Sequence, residues 1–442
     1  MNENCHPVFG TPLPSNWEVL SVDKVKSSER FSCVAGPFGS DISSKYFVAD
    51  GIPVIRGSNL TNDLTKFVSD SFVFVSEEQA RRYPAQHVKV GDLVFTSWGT
   101  IGQVGLIPED GPYHEYIISN KQLKLRPNSS RANPLFLFYY FSSPAMVEYI
   151  RNRAIGSAVP GINLGILKSL PVILPPLGVQ RKIAAILSAY DDLIENNNRR
   201  IKLLEEMAQR IYREWFVDFR YPGHEAVPLV DSELGPIPEG WPVLPFTDLV
   251  DVLSGGTPRT TVEEYWNGSI PFFTPRDAPN SLIALTTEKY VTQAGLDHCN
   301  SALYQPGTVF ITARGTVGKV VMAGVGMAMN QSCYAIRGLE GICQEYVLFS
   351  LLNQVGYLKA NTGGATFDTI IVDTFRRMHI AAPPLQLIDA FGNAVAPVVR
   401  MISNLQNSTE VAHNSRDLLL PRLISGEIDV DELDIALAVV EA

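Results

Sequence analysis

The sequence predicts an α+β fold made of two copies of one mixed α/β domain, with a pair of long helices between them. Two observations carry this expectation. Residues 91–106 (GDLVFTSWGTIGQVGL) and 307–322 (GTVFITARGTVGKVVM) share one pattern: a Gly, an apolar run, G-T-[IV]-G and a second apolar run. Four further matches follow in the same order: 13–17 with 237–241, 52–60 with 270–278, 170–177 with 378–385, and a long breaker-poor stretch closing each copy. The chain is therefore read as a tandem duplication.

Each copy begins with short β-type runs broken by Gly, Pro, Asn and Asp, among them Phe72–Val75, Leu93–Thr96, Val309–Thr312 and Val320–Met322. A Pro-Pro pair (Pro175-Pro176, Pro383-Pro384) then ends the sheet region. The helix after the first pair carries Ile183, Leu187, Tyr190, Ile194, Asn197, Ile201, Leu204, Ala208, Ile211 and Trp215 at alternating spacings of four and three. The second repeats the pattern with Ile388, Phe391, Val395, Val398, Ile402, Leu405, Thr409, Ala412, Arg416 and Leu419. That 3.5-residue period is a coiled-coil seam. A run of about 38 residues spans roughly 57 Å, so two such helices in one chain most simply pair with each other. Asn197, Thr409 and Arg416 interrupt the seam and set its register, and Pro397 is expected to kink the second helix or remove a hydrogen bond. The boundaries expected are 1–176 and 237–382 for the domains, 177–216 and 383–421 for the helices, 217–236 for a linker and 422–442 for a tail.

Composition narrows the function. With 36 Lys+Arg against 46 Asp+Glu the formal charge is −10, which excludes a uniformly basic nucleic-acid coat but not a local basic groove. The 45% apolar and 19% charged composition is that of a globular protein. Five scattered cysteines without C-x-x-C argue against a disulfide scaffold or zinc ribbon, and a reducing compartment fits. The N-terminus lacks a basic segment followed by an apolar run, and no window approaches the ~20 apolar residues needed to span a bilayer. A cytoplasmic protein is expected.

Catalytic patterns are missing from the sequence. GTVGKV at 315–320 is too short for a phosphate-binding P-loop, and neither G-x-S-x-G, H-E-x-x-H nor a metal-ligand spacing occurs. Asn133-Pro134-Leu135-Phe136 departs from the N-P-P-[YF] pattern of amino-methyltransferases and reads better as a helix start. No catalytic residue and no metal site is therefore assigned. An enzyme with a disguised site and a protein-binding adaptor remain the competing readings.

LPPLGVQRKIAAIL (174–187), REWFVDFRYPG (213–223), GPIPEGW (235–241) and LLLPRLISGEIDV (418–430) resemble specificity subunits of type I restriction–modification systems, and the resemblance covers essentially the whole chain. It implies two target-recognition domains, each on a curved, mostly antiparallel sheet, separated by an antiparallel two-helix coiled coil with pseudo-twofold symmetry. It also implies a non-catalytic subunit that binds double-stranded DNA at an asymmetric split target, in defence against foreign DNA. The implied partners are two methylation subunits and, through them, a restriction–translocation subunit. S-adenosylmethionine, ATP and Mg would reside on those partners.

The duplication also sorts candidate DNA contacts: positions shared by both copies suit scaffold or phosphate, and divergent positions in shared loops suit base readout. Thr100 and Thr316 lie in the common G-T turn, followed by Lys319 in the second copy. Trp98 faces Arg314; Arg56, Ser58 and Asn59 face Thr274, Arg276 and Asp277; and Asn120-Lys121-Gln122 faces Asn330-Gln331-Ser332. Arg suits guanine, Asn and Gln suit adenine, and Trp packs on sugar or stacks. Residues 41–130 hold nine Lys/Arg and ten Asp/Glu, so no basic stripe marks the first copy. Trp215, Phe216 and Phe219 either cap the helix pair or form a platform for a methylation subunit. Arg199, Arg200 and Lys202 read as a solvated face or a track for spacer phosphates.

Overall fold

The computed structural model describes residues 7–39, 41–156, 159–362 and 369–435. They fall into two compact units: residues 1–194 with 412–442, and residues 195–411. Each unit therefore contains one sheet region and a segment of each long helix.

In the first unit, Leu93–Thr96 is buried along its whole length and pairs antiparallel with Val104–Leu106 and Gln122–Leu125, and Cys33–Ala35 extends the sheet beside Gln122–Leu125. A second sheet runs in the order Phe47–Val48, Val73–Val75, Ile52–Ile55, Tyr116–Ile118, His87–Val88, with Ile52–Ile55 and Tyr116–Ile118 parallel. Glu18–Ser21 pairs with Pro171–Leu174, the strand that leads into the first long helix. Pro134–Ser142 is the expected helix start: the Asn133 side chain accepts from Phe136 N at 2.9 Å, and Pro134 needs no donor in the first turn. Residues Phe136–Phe141 are all buried, because this helix is covered by the sheet and by its neighbours.

The second unit repeats the plan. Its main sheet runs Val250–Ser254, Cys333–Gly338, Val309–Thr312, Val320–Ala323, Ile283–Ala284; Trp266–Phe273 pairs parallel with Ala328–Met329; and Val243–Pro245 pairs with His379–Ala381. A single helix, Gln344–Ala360, stands where the first unit has Pro134–Ser142 and Pro144–Arg151. Pro144 explains the break, since it disfavours helix at Ser143 and restarts one at its own position.

Both long helices run 40 residues, Leu177–Phe216 and Leu385–Ile424; the second begins two residues later and ends three later than expected. It continues through Pro397, which stands exposed. In the second unit Ile201, Ala208, Tyr212 and Phe216 pack with Phe391, Val395, Ile402 and Leu405 in one core. The sense is antiparallel, with Asn197 Nδ2 donating to Ser408 Oγ at 3.3 Å and the Tyr212 and Phe391 rings 5.9 Å apart. In the first unit Ile183 and Leu187 share a core with Leu420, Leu423 and Ile424. The strict seam fails at both C-terminal ends: Tyr212 and Phe216 are buried rather than Ile211 and Trp215, and Leu420 rather than Leu419. A helix of 3.6 residues per turn drifts off a 3.5-residue repeat, so the buried stripe moves over by one position.

The interruptions of the seam differ in kind. Arg416 is bound to Asp191 at 2.8 Å, whereas the Thr409 hydroxyl is buried with no hydrogen-bond partner among the described residues. By length and composition Leu385–Ile424 is apolar enough to cross a membrane, contrary to the expectation from continuous windows, but its apolar stripe is buried in the two cores.

One buried cation is a consequence of sheet packing. Lys124 lies in a strand buried on both faces, and its Nζ donates to the Ala85 and His87 carbonyls, each at 2.7 Å. Burial pushes its ammonium down to about 8. The folded state thus holds this proton less readily than the unfolded chain, so its contribution to stability is lowest below pH 8 and rises toward 10.5. Denaturant unfolding at pH 8 and pH 10 is expected to show wild type gaining stability relative to Lys124→Met over that interval; parallel behaviour of the two proteins would contradict it.

Candidate nucleic-acid interface

In the second unit three loops converge at strand ends. Trp266–Phe273 leads into the turn Pro275–Asp277, Val309–Thr312 into Arg314–Thr316, and Ala328–Met329 into Asn330–Ser332. Together they wall an open groove of about 490 Å³ that also includes Thr257, Glu288 and Lys289. Arg276, Arg314 and Thr316 are exposed on it. Gly315, at φ 80°, opens the turn with free space around its α-carbon, while Gly318, at φ 81°, packs so tightly that a β-carbon would meet Lys359 Cε at 2.7 Å. Gly99 and Gly102 repeat this division in the first copy, with Val147 as the close neighbour. The shared G-T-[IV]-G pattern is therefore a scaffold turn.

Asp277 lines the groove, but its carboxylate is committed internally. Oδ2 accepts from Thr274 N at 2.8 Å and Thr274 Oγ1 at 2.6 Å, and Oδ1 accepts from Glu288 N at 2.7 Å. Asn59, its counterpart, is wholly buried: Oδ1 accepts from Arg56 N, and Nδ2 donates to the Val68 and Asp70 carbonyls, all at 3.0 Å. Both residues hold the turn together, so the readings of Asn59 and Asp277 as base contacts are corrected to structural ones. Asn59→Ala should cost about 2–4 kcal/mol, because three backbone groups lose their hydrogen bonds to one fully buried side chain. Asn59→Asp should not rescue it, since the two carbonyls need a donor. Unfolding midpoints check both; a neutral Asn59→Ala would contradict the assignment.

Gln122 is also corrected. It is 1% exposed and its Oε1 accepts from Ser119 Oγ. The strand register moves the comparison by one residue as well. Gln122 pairs with Thr96 as Cys333 pairs with Thr312, so Lys121 corresponds to Ser332 and Asn120 to Gln331. Lys121 is exposed; Gln331 is exposed at the groove edge and accepts from Thr257 Oγ1. Lys319 lies off the groove, donating to Asn280 Oδ1 at 3.3 Å.

The first unit places its candidates differently. Ser58 and Thr100 are exposed, and Trp98 is 44% exposed over Gly161, where a β-carbon would lie 2.7 Å from the indole. Arg56 is half-buried and its Nε has no hydrogen-bond partner among the described residues. Arg199, Arg200 and Lys202 are exposed. Phe216 is buried, with ring centroids 5.0 Å from Tyr346 and 5.1 Å from Phe391. Trp215 and Phe219 are half-buried against Phe391 and Trp241. Phe216 thus closes the helix pair within its own unit and offers no platform, whereas Trp215 and Phe219 keep partial surface. Glu288, Lys289 and Trp266 were missing from the sequence reading; the pairing of Phe272 with Lys289, a long-range register, brings them to the groove.

Residues 35–206 and 238–389 each match the family described as the type I restriction modification DNA specificity domain. The chain belongs to that family. Among specificity subunits, it is 24% identical to that of the type I restriction enzyme MjaIX of Methanocaldococcus jannaschii, over 95% of both chains. It is 25% identical to that of HindI from Haemophilus influenzae, over 77% of this chain and 87% of that one. The crystal structure of the S subunit from M. genitalium shares the fold, with a TM-score of 0.61 at 14% identity over 92% of this chain and 96% of that one. The two family matches cover the two sheet regions, consistent with a duplicated specificity domain.

Proposed function

We propose that this chain is the non-catalytic subunit that chooses the DNA target of a type I restriction–modification complex. Each copy, 1–176 and 237–382, reads one half of an asymmetric bipartite sequence, and the long helices serve as the spacer. Methylation subunits dock on the chain for adenine methylation, and a restriction–translocation subunit acts through the same complex. S-adenosylmethionine, ATP and Mg belong to those partners, and the complex works in the cytoplasm.

The observation that carries this reading is divergence on a kept scaffold. The turns are the same in both units, yet Arg276 and Arg314 stand where the first unit has Ser58 and Trp98. Constant turns with variable exposed side chains are what two different half-sites require. Selection from a randomised duplex library by the chain assembled with its methylation subunit tests it. Two short fixed blocks separated by a constant unread gap are expected; one contiguous block, or no enrichment, would contradict it.

A further inference from the structure

The groove of the second unit holds an unusual balance of charge for a DNA-facing surface. Arg276, Arg314 and Lys289 line it together with Asp277 and Glu288, three cations against two carboxylates. Asp277 is consumed by the turn, as described above. Arg276 and Arg314 are exposed and make no ion pair among the described residues, and neither does the Glu288 carboxylate. Lys289 Nζ sits 5.8 Å from the centre of the Trp266 ring, which occupies part of its charge. A phosphodiester backbone offers only acceptors and negative charge, so a free carboxylate in its binding groove would be repulsive. A base-pair edge offers both kinds of partner.

We infer that this groove reads G·C base pairs from the major groove, with Arg276 and Arg314 donating to guanine O6 and N7 and Glu288 accepting from cytosine N4. Guanine presents two acceptors on that edge, which the fork of one guanidinium can take, and cytosine one donor for a carboxylate, so the two guanidiniums suit two guanines and Glu288 a cytosine. A·T pairs place a donor on adenine and a methyl group on thymine; the exposed amide at the groove edge, Gln331, has its oxygen held by Thr257 Oγ1, so the groups here that are free to pair are the two guanidiniums and the Glu288 carboxylate. The first unit has Ser58 and Trp98 at the matching positions, so its half-site carries no such demand. The inference rests on the DNA-recognition reading above.

The library selection is repeated with Arg276→Ala, Arg314→Ala and Glu288→Ala, each in the assembled complex; all three side chains are exposed, so the fold is kept. Each Arg variant is expected to lose preference for guanine at one position by on the order of 10- to 100-fold. The change should be confined to one half-site, and Glu288→Ala should relax a cytosine in that same half-site. Equal weakening across all sequences would mark these residues as phosphate contacts and overturn the inference while leaving a split target intact. A half-site without a G·C pair at the affected positions would overturn it too. Failure to enrich any split sequence, even with wild type, would instead remove the recognition reading itself.

Discussion

Replacing Arg416 with alanine is expected to destabilise the protein by about 3–5 kcal/mol, because it strands a buried carboxylate. Arg416 Nη1 lies 2.8 Å from Asp191 Oδ1, with the two side chains only 5% and 11% exposed. The Tyr139 hydroxyl also donates to Asp191, and burial followed by the Asp191 charge holds that phenol protonated far above its ordinary range. Removing the guanidinium leaves Asp191 with Tyr139 alone. The second unit shows the apolar alternative. When the two helices are aligned from Leu177 and Leu385, Arg416 and Asp191 correspond to Ala208 and Val399, both buried in the second core. The combined change Asp191→Leu with Arg416→Met should therefore recover part of the loss, the remainder being the buried Tyr139 hydroxyl left without its acceptor. Urea unfolding of the single and double variants decides the matter, and a double variant no better than Arg416→Ala would contradict this account of the pair.

The second large effect concerns specificity. Exchanging residues 237–382 for the corresponding segment of another specificity subunit should replace one half-site completely and leave the other unchanged. The groove residues Thr257–Ser332 all lie within that segment, and the segment carries its own sheets. The long helices and the segments that follow them stay native. The tail after the second helix docks on the first unit: Lys182 Nζ donates to Asp431 O at 2.7 Å, and Gly426 packs on Pro14 and Trp17. Loss of both half-sites, or retention of both, would show that the copies do not read DNA independently.

Much of the architecture was legible because it is periodic or repeated. Leu93–Thr96 and Val309–Thr312 are strands at the bounds read from the sequence, since Gly on either side punctuates an apolar run. The helices announced themselves by a seam sustained between Pro-Pro and Gly. Their last turns were misjudged because a 3.5-residue template has no drift, whereas a real helix does. The site was read less well for a different reason. Asn59, Gln122 and Asp277 are polar residues at strand ends, and such a residue has the same sequence signature whether it faces a base or a backbone amide. Only the folded-state bonds to Val68, Asp70, Ser119 and Glu288 separate the two. Lys124 shows the same limit: QLKL alternates as a half-exposed strand would, yet all four residues are buried because sheet and loop cover both faces. Arg276 and Arg314 were singled out because duplication exposes divergence directly, and Thr316 because the G-T turn is common to both copies.

Mapping methylation decides whether this chain selects a split DNA sequence. The chain is co-expressed with its methylation subunit in a host free of other methylation, and modified bases are sequenced genome-wide. One asymmetric bipartite motif with methyladenine in both halves is expected. A soluble complex that leaves the genome unmodified, or that modifies a contiguous palindrome, would contradict it.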